Sequence, residues 1–268
     1  MLKKKQLEEF RLYLLSDEKS KNTIESYIRS IKIFSDKYGE VNKSNMLEFK
    51  KWQLEQWKPK TAHNRIVALN QYCKFIGHPE YCVKNIKIHG SSNVENVITM
   101  EEYVKLLNGL KDDKNLKGYY MVQYLAKTGA RVSEFIRMEK ECLETGYCEM
   151  WTKGKIRRIY IPTALIEESK EFLKNNKKYL FENRDKKQYT ARGVSQNLQN
   201  WGKKYGIRKD VMHPHSFRHF YAINFIKRNN NIALLADLMG HSSVGTTSIY
   251  LRLSKEEQKR QFNDAVNW

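Results

Sequence analysis

NIKIHGSSNVENVITMEE, residues 85–102, separates two stretches of helical periodicity and therefore decides how the chain is organised. Up to position 97 it has no sustained helical period and contains one glycine and two serines, which is typical of a linker. Thr99 and Glu102 then have the spacing of a capping box, which predicts the start of a helix. We therefore expect a mainly α-helical chain with two domains, at 1–88 and 98–268, and a linker at 89–97.

The first domain is predicted to be a bundle of four short helices. In the second of these helices, apolar residues recur at helical spacing and predict a face packed on the core: Ile24, Tyr27, Ile28, Ile31 and Phe34. Asn22 or Thr23 is expected to cap the beginning of this helix, and Gly39 can end it.

The second domain is predicted to be rich in α-helix, with one segment that breaks the helical pattern. CEMWTKGKIRRIYI, residues 148–161, has β-branched and aromatic residues on both sides of Lys153, Gly154 and Lys155. Such a pattern with glycine at the turn indicates a β-hairpin. We expect a small sheet that carries a lysine at its tip.

The charge of the chain favours a polyanionic partner. Lys and Arg number 49 against 30 Asp and Glu, a formal net charge of +19. Basic side chains gain affinity for nucleic acids by releasing counterions from phosphates. Nucleic acid is the first interpretation, and a soluble basic protein without such a partner or a binder of anionic membranes is the alternative. No segment approaches the roughly 18 apolar residues of a membrane span, and no export signal is expected.

Cysteines and histidines do not form a metal-binding pattern. The four cysteines contain no CxxC pair and are too few to crosslink a chain of this length, so we expect reduced thiols and a cytoplasmic location. His213 and His215 are separated only by Pro214, but no HExxH motif or Cys/His quartet accompanies them. Neither a metal nor a cofactor is predicted.

Four segments carry residues suited to chemistry on a phosphodiester: TGARVSE (128–134), TKGK (152–155), HSFRH (215–219), and LMGHSS (238–243) continuing to TTSIY (246–250). In order and spacing they resemble the catalytic motifs of the tyrosine recombinases, the integrase family that includes Xer-type recombinases and the integrases of phages and mobile elements. The resemblance covers residues 98–250. It is weaker at residues 22–27 and 61–65, which look like that family's DNA-clamping helical domain.

The resemblance implies six catalytic residues: Arg131, Lys153, His215, Arg218, His241 and Tyr250. The two arginines and His241 would bind the non-bridging oxygens, where the transition state gathers negative charge. A guanidinium offers phosphate a planar, permanently charged fork that lysine lacks. His215, three residues before Arg218, would accept a proton from the nucleophile or orient it.

Tyr250 would be the nucleophile, because it follows the last motif histidine by nine residues. Its attack would leave a 3′-phosphotyrosyl link and expel a 5′-hydroxyl. Lys153 would protonate that leaving oxygen, with Lys155 as the alternative. Glu134 would brace the helix of the first arginine.

The function implied is site-specific DNA recombination without metal or cofactor. The protein would clamp duplex DNA at an inverted-repeat core site and act as a homo-tetramer on two sites, or as a hetero-tetramer with a paralogue, in the cytoplasm at the nucleoid. The tail from Leu251 to Trp268 would dock on a neighbouring protomer or pack on its own domain. The alternatives are relaxation of DNA like a type IB topoisomerase, or a catalytically inactive DNA-binding protein. Chromosome-dimer resolution, integration and excision of a mobile element, and inversion remain open as roles.

Overall fold

The computed structural model describes residues 4–88, 96–152, 155–241, 244–251, 262–264 and 266–267. The chain divides into two compact units, Met1–Gly90 and Ser91–Trp268. Both units consist mainly of α-helix, and the only sheet in the described part of the chain has two strands. The prediction of a mainly α-helical fold with a small hairpin is therefore confirmed.

The first unit contains four α-helices in its described residues: α1 (Lys4–Ser16), α2 (Lys21–Tyr38), α3 (Lys43–Gln56) and α4 (Pro59–Phe75). The predicted apolar face of α2 packs into the core of this unit, where Ile31 and Phe34 are fully buried. Gly39 ends α2 with a positive φ of 72°, as expected. The prediction of its N-cap was wrong, because the hydroxyl of Ser20 accepts a hydrogen bond from the backbone N–H of Thr23, and the helix begins one turn before the apolar pattern shows.

The first helix of the second unit begins at the predicted capping box. The Thr99 hydroxyl accepts from the Glu102 backbone, and the Glu102 carboxylate accepts from the Thr99 backbone. The helices that follow are α5 (Met100–Asp112), α6 (Leu116–Thr128), α7 (Val132–Phe135), α8 (Cys142–Thr145), α9 (Thr163–Leu173), α10 (Ala191–Lys204), α11 (Pro214–Arg228), α12 (Ile232–Met239) and α13 (Val244–Thr247). Most side chains of α6 are buried, and α11 packs directly against it, so these two helices form the centre of the unit.

The hairpin consists of β1 (Tyr147–Thr152) and β2 (Lys155–Tyr160), which pair antiparallel with Thr152 opposite Lys155. Alternate side chains face the core, as the period of a strand requires. Met150 and Ile159 are buried there, whereas Trp151 and Ile156 are exposed on the other face. Lys153, the predicted general acid, lies outside the described residues.

Two of the four cysteines correct the expectation of reduced thiols. The structure joins Cys142 and Cys148 in a disulfide, whereas Cys73 and Cys82 are free. Gly146, with a φ of 78°, turns the chain from α8 directly into β1 and brings the two Cα atoms to 5.0 Å. Neither the absence of a CxxC pair nor the small number of cysteines reveals this tight turn. None of the helices in the described part of the chain is long and apolar enough to span a membrane.

Candidate active site

The first predicted arginine stands in the turn between α6 and α7. Gly129 ends α6 in the left-handed region with a φ of 62°, and an added Cβ there would collide with the ring of Tyr221. Arg131 follows immediately before α7, and Glu134 reaches back to it. The Glu134 carboxylate accepts from the Arg131 backbone at 2.7 Å and from its guanidinium at 2.9 Å. This turn therefore fixes both the backbone and the side chain of Arg131.

Helix α11 presents three polar side chains on one face. His215, Arg218 and His219 are spaced i, i+3 and i+4, which places them on the same side of a helix. The side chain of His213 caps the helix by accepting from the backbone N–H of Ser216 at 3.1 Å. The ring centroids of His215 and His219 are 4.2 Å apart. The sequence predicted that His215 and Arg218 share this face of the helix, and the structure shows that His219 lies on it as well.

The C-terminal end of α12 anchors three guanidinium groups. Its last turn is closed by the backbone N–H groups of Gly240 and His241, which donate to carbonyls at positions 236 and 237. The next three carbonyls accept from side chains: Leu238 from Arg157 at 2.5 Å, Met239 from Arg218 at 2.6 Å, and Gly240 from Arg131 at 2.9 Å. Carbonyls at a helix C-terminus have no partner within the helix and carry partial negative charge. They therefore gather cations that would otherwise repel one another.

Arg218 is the most deeply buried of these groups, with 2 % of its surface exposed. Besides Met239, its guanidinium donates to the Gly129 carbonyl at 2.6 Å. Burial first, and then the neighbouring Arg131 and Arg157, lower the pKa of Arg218 to about 10. It remains a cation at neutral pH, held by neutral carbonyl groups.

His241 follows Gly240, whose φ of 60° turns the chain after α12. Its Nε2 atom lies 3.1 Å from an Nη atom of Arg218, and its Nδ1 atom lies 2.7 Å from the Thr247 hydroxyl. A guanidinium can only donate, so Nε2 is the acceptor and the ring proton is on Nδ1. Burial and then Arg218 lower the pKa of His241 to about 4, which agrees with a neutral ring.

Tyr250 lies in a 3-10 turn, Ser248–Leu251, and only 7 % of its surface is exposed. It packs in a cluster with Ala222 of α11 and with Leu235 and Met239 of α12. Its hydroxyl oxygen is hydrogen-bonded to Nδ1 of His219 at 2.6 Å. Burial raises the pKa of Tyr250 to about 12, although the nearby Arg218 opposes this shift. The side chain is therefore a neutral phenol in the free protein.

Two residues at this site were missed by sequence reasoning. Arg157 of β2 forms an ion pair with Glu134 as well as its bond to Leu238, and 7 % of its surface is exposed. The alternation of the hairpin contained a signal, since Arg157 shares its face with the buried Ile159. His219 was part of the quoted HSFRH segment, and its i+4 spacing from His215 placed it on the same helix face.

The pKa of Glu134 is lowered even though burial opposes its ionisation, because the arginines bind its carboxylate. The structure thus joins Arg218 to His241 directly, and Arg131 and Arg218 to successive carbonyls at the end of α12. Tyr250 is bonded to His219, which shares a face of α11 with His215 and Arg218. In the part of the chain that the structure describes, no group of three His, Cys, Asp or Glu residues is placed to hold a metal ion.

Comparisons with known proteins identify the family of this chain. The phage integrase family matches residues 96–257. In sequence, the chain is similar to the tyrosine recombinase XerA of Pyrococcus furiosus, with 30 % identity over 96 % of this chain and 93 % of that protein. It is also similar to the tyrosine recombinase XerD of Staphylococcus epidermidis, with 26 % identity over 91 % of this chain and 92 % of that protein.

In structure, the chain is similar to the Tn1549 transposon integrase in complex with transposon right end DNA. The TM-score is 0.75 at 17 % sequence identity, with 98 % of this chain and 99 % of that chain covered. At this identity the likeness concerns the fold. Together with the family match over more than half of the sequence, these findings show that the chain belongs to the phage integrase family and is a site-specific recombinase of the tyrosine type.

Proposed function

We propose that Tyr250 of this recombinase attacks a DNA phosphodiester that Arg131, Arg218 and His241 bind, and that the reverse reaction rejoins the strand. The observation that carries this proposal is a buried phenol close to Arg218, one of three guanidinium groups gathered at the end of α12. His215 would orient the nucleophile or accept its proton. Lys153 would give a proton to the leaving 5′-oxygen, with Lys155 as the alternative.

The charge of the site supports an anionic substrate. Around Arg218 the described residues contribute three guanidinium groups, Arg131, Arg157 and Arg218, and one carboxylate, Glu134. This leaves a surplus of positive charge inside a protein, which is unfavourable until an anion approaches. Arg131 is the most accessible of the three, with 38 % of its side chain exposed. A phosphodiester bound there would offset the repulsion among the arginines.

Binding of the same anion would change the protonation of His241. In the free protein its Nε2 accepts from Arg218, so this nitrogen has no proton to give. When Arg218 turns a donor toward a phosphate, Nε2 loses that bond, and the negative phosphate favours an imidazolium. His241 would then donate from Nε2 to a non-bridging oxygen. Binding of DNA would therefore assemble the full set of donors.

The reaction that follows is balanced without metal or cofactor. The Tyr250 oxygen forms a bond to phosphorus as its proton leaves to His215 or another base, and the bond from phosphorus to the 5′-oxygen breaks. The proton from Lys153 completes the 5′-hydroxyl. Because the phenol has a pKa of about 12 in the free protein, the phenolate is expected to form only as attack proceeds.

DNA is the partner, and we also propose how the protein grips it, which sites it joins and how many subunits assemble. Residues 1–88 would form a domain that grips one side of the duplex and residues 98–268 the catalytic domain, joined at 89–97. The substrate would be two inverted-repeat core sites, joined by a homo-tetramer or by a hetero-tetramer with a paralogue, at the nucleoid in the cytoplasm. The tail from Leu251 to Trp268, which would dock on a neighbouring protomer or pack on its own domain, lies mostly outside the described residues.

Covalent trapping tests the proposal. A pool of linear duplexes would carry a nick within a randomised segment of about three helical turns. The wild type should form covalent complexes that withstand detergent, and the DNA recovered from them should be enriched in one family of related sequences. Tyr250→Phe should form no such complexes. Tyr189→Phe is a matched control and should behave as the wild type. Adducts that persist in Tyr250→Phe would refute the role of this tyrosine, and relaxation of any plasmid without strand exchange would indicate topoisomerase activity instead.

A further inference from the structure

The hydroxyl of the proposed nucleophile is already engaged in the free protein. Its hydrogen bond runs to Nδ1 of His219 at 2.6 Å, and the two ring centroids are 5.6 Å apart. His219 is not among the six residues to which the motif assigns chemistry. Building on the proposed function, we infer that His219 is a positioning residue, which accepts the Tyr250 hydrogen bond at Nδ1 and so sets where the nucleophile lies before it attacks.

The charges around His219 support its role as the acceptor. It faces His213, His215 and Arg218 on its own helix, and His241 and Tyr250 on the segments packed against α11. Burial, and then His215, Arg218, His213 and His241, lower the pKa of His219 to about 4. The ring is therefore neutral at physiological pH. Since the phenol is also neutral, either group could donate; His219 is the acceptor when its ring proton is on Nε2 and the Tyr250 hydroxyl donates to Nδ1.

The two partners differ in how firmly their own elements hold them. His219 lies in the middle of α11, between the buried Phe217 and Ala222, and its ring also contacts His215. Tyr250 lies in a turn of four residues, which is too short to fix a side chain by its own backbone hydrogen bonds. The histidine is therefore the fixed point and the tyrosine is the group being placed. A displacement of about 1 Å in a reacting atom costs on the order of 100-fold in rate.

A matched pair of substitutions separates the hydrogen bond from the bulk of the ring. In His219→Asn, the amide oxygen can occupy about the position of Nδ1 and still accept. In His219→Phe, a ring of similar size remains without an acceptor. On the duplex selected by covalent trapping, we expect the single-turnover cleavage rate at saturating DNA to fall about 100-fold in His219→Phe and no more than on the order of tenfold in His219→Asn. DNA affinity should stay unchanged in both.

Nuclear magnetic resonance of the ring nitrogens tests the same contact without DNA. At pH 7 the wild type should show His219 with an unprotonated Nδ1 and a proton on Nε2, and Tyr250→Phe should shift the Nδ1 signal. Melting temperatures of both His219 variants would identify a loss of folding. If His219→Phe misfolds, the nitrogen signals of the wild type and the cleavage rate of His219→Asn still test the hydrogen bond between His219 and Tyr250.

The outcomes distinguish this inference from the proposed function. Cleavage by His219→Phe at the wild-type rate, or a proton on Nδ1 at pH 7, would overturn the role of His219 while leaving Tyr250 as the nucleophile. Failure of the wild type to form any adduct through Tyr250 would refute the proposed function, whereas the nitrogen signals would still report whether His219 holds the phenol.

Discussion

The interiors of the two units differ in the polar and charged side chains that they bury. The core of the first unit is aromatic and aliphatic, and the two polar residues buried in its described part, Ser30 and Gln53, are uncharged. The second unit buries Glu134, Arg157 and Arg218 beside its apolar core. Burying a charge is unfavourable unless it is paired and hydrogen-bonded. The first interior therefore favours a stable fold. The second interior lowers the free energy of unfolding by burying charges, but it holds cations where a phosphate can reach them.

The carbonyl groups at the end of α12 make this second arrangement possible. Each of the three arginines takes one of three successive carbonyls, and Glu134 bridges two of the arginines. The guanidinium groups are therefore placed by neutral acceptors and one carboxylate rather than by an equal number of anions. If this view of the two interiors is right, substitutions in them should differ in both size and kind.

The largest effect is expected for Glu134→Gln. The change removes the carboxylate of two ion pairs and leaves Arg157 buried without its counter-charge, which should lower the free energy of unfolding by about 3–5 kcal/mol. Urea unfolding followed by circular dichroism measures it. Glu167→Gln, at an exposed position of α9, is the control and should change this free energy by less than about 0.5 kcal/mol. Equal losses in the two variants would contradict a structural role of the buried carboxylate.

Arg218→Lys should act mainly on the chemistry. Lysine keeps the charge but cannot donate to the Gly129 and Met239 carbonyls while also presenting a planar fork to phosphate. We expect the cleavage rate of the selected duplex to fall by about 10²- to 10³-fold. Arg208→Lys, at a surface ion pair with Glu102, should stay within about threefold of the wild type. Full activity of Arg218→Lys would show that charge alone suffices at this position.

Two glycines with positive φ allow a direct comparison of the units. Gly77 and Gly240 have φ angles of 80° and 60°, so alanine at either should cost about 1–2 kcal/mol of stability for this backbone conformation. At Gly77 an added Cβ meets nothing within 4 Å, whereas at Gly240 it would collide with the Arg157 side chain. Gly240→Ala should therefore destabilise more than Gly77→Ala in urea unfolding and should also slow cleavage. Identical losses would mean that Arg157 can move aside freely.

The smallest effect is expected for Gln53→Leu in the first unit. Gln53 is fully buried, its amide nitrogen has no hydrogen-bond partner, and only its oxygen accepts from Arg65. An apolar side chain of similar size removes that unsatisfied group, so the free energy of unfolding should change by no more than about 1 kcal/mol. The measurement is the same urea titration. A loss as large as that of Glu134→Gln would abolish the distinction between the two interiors.

Short-range patterns in the sequence were enough to predict much of the secondary structure. The apolar spacing of α2, the capping box at Thr99 and the alternation of the hairpin each depend on neighbours within a few residues, and the structure confirms them. The spacing of His215 and Arg218 likewise predicted a shared helix face. The six proposed catalytic residues stay predictions until they are tested by substitution.

The sequence by itself thus determined the helical elements, the hairpin and the order of the motifs, because helix and strand periodicity are local properties of the chain. Only the tertiary structure decided that Arg157 joins Glu134, that His219 holds Tyr250 and that Cys142 meets Cys148. The first two contacts join residues far apart in sequence, on elements that converge through the packing of α6, α11 and α12, and no local pattern encodes such a meeting. The third depends on a single left-handed glycine, whose turn is visible only once the backbone is folded.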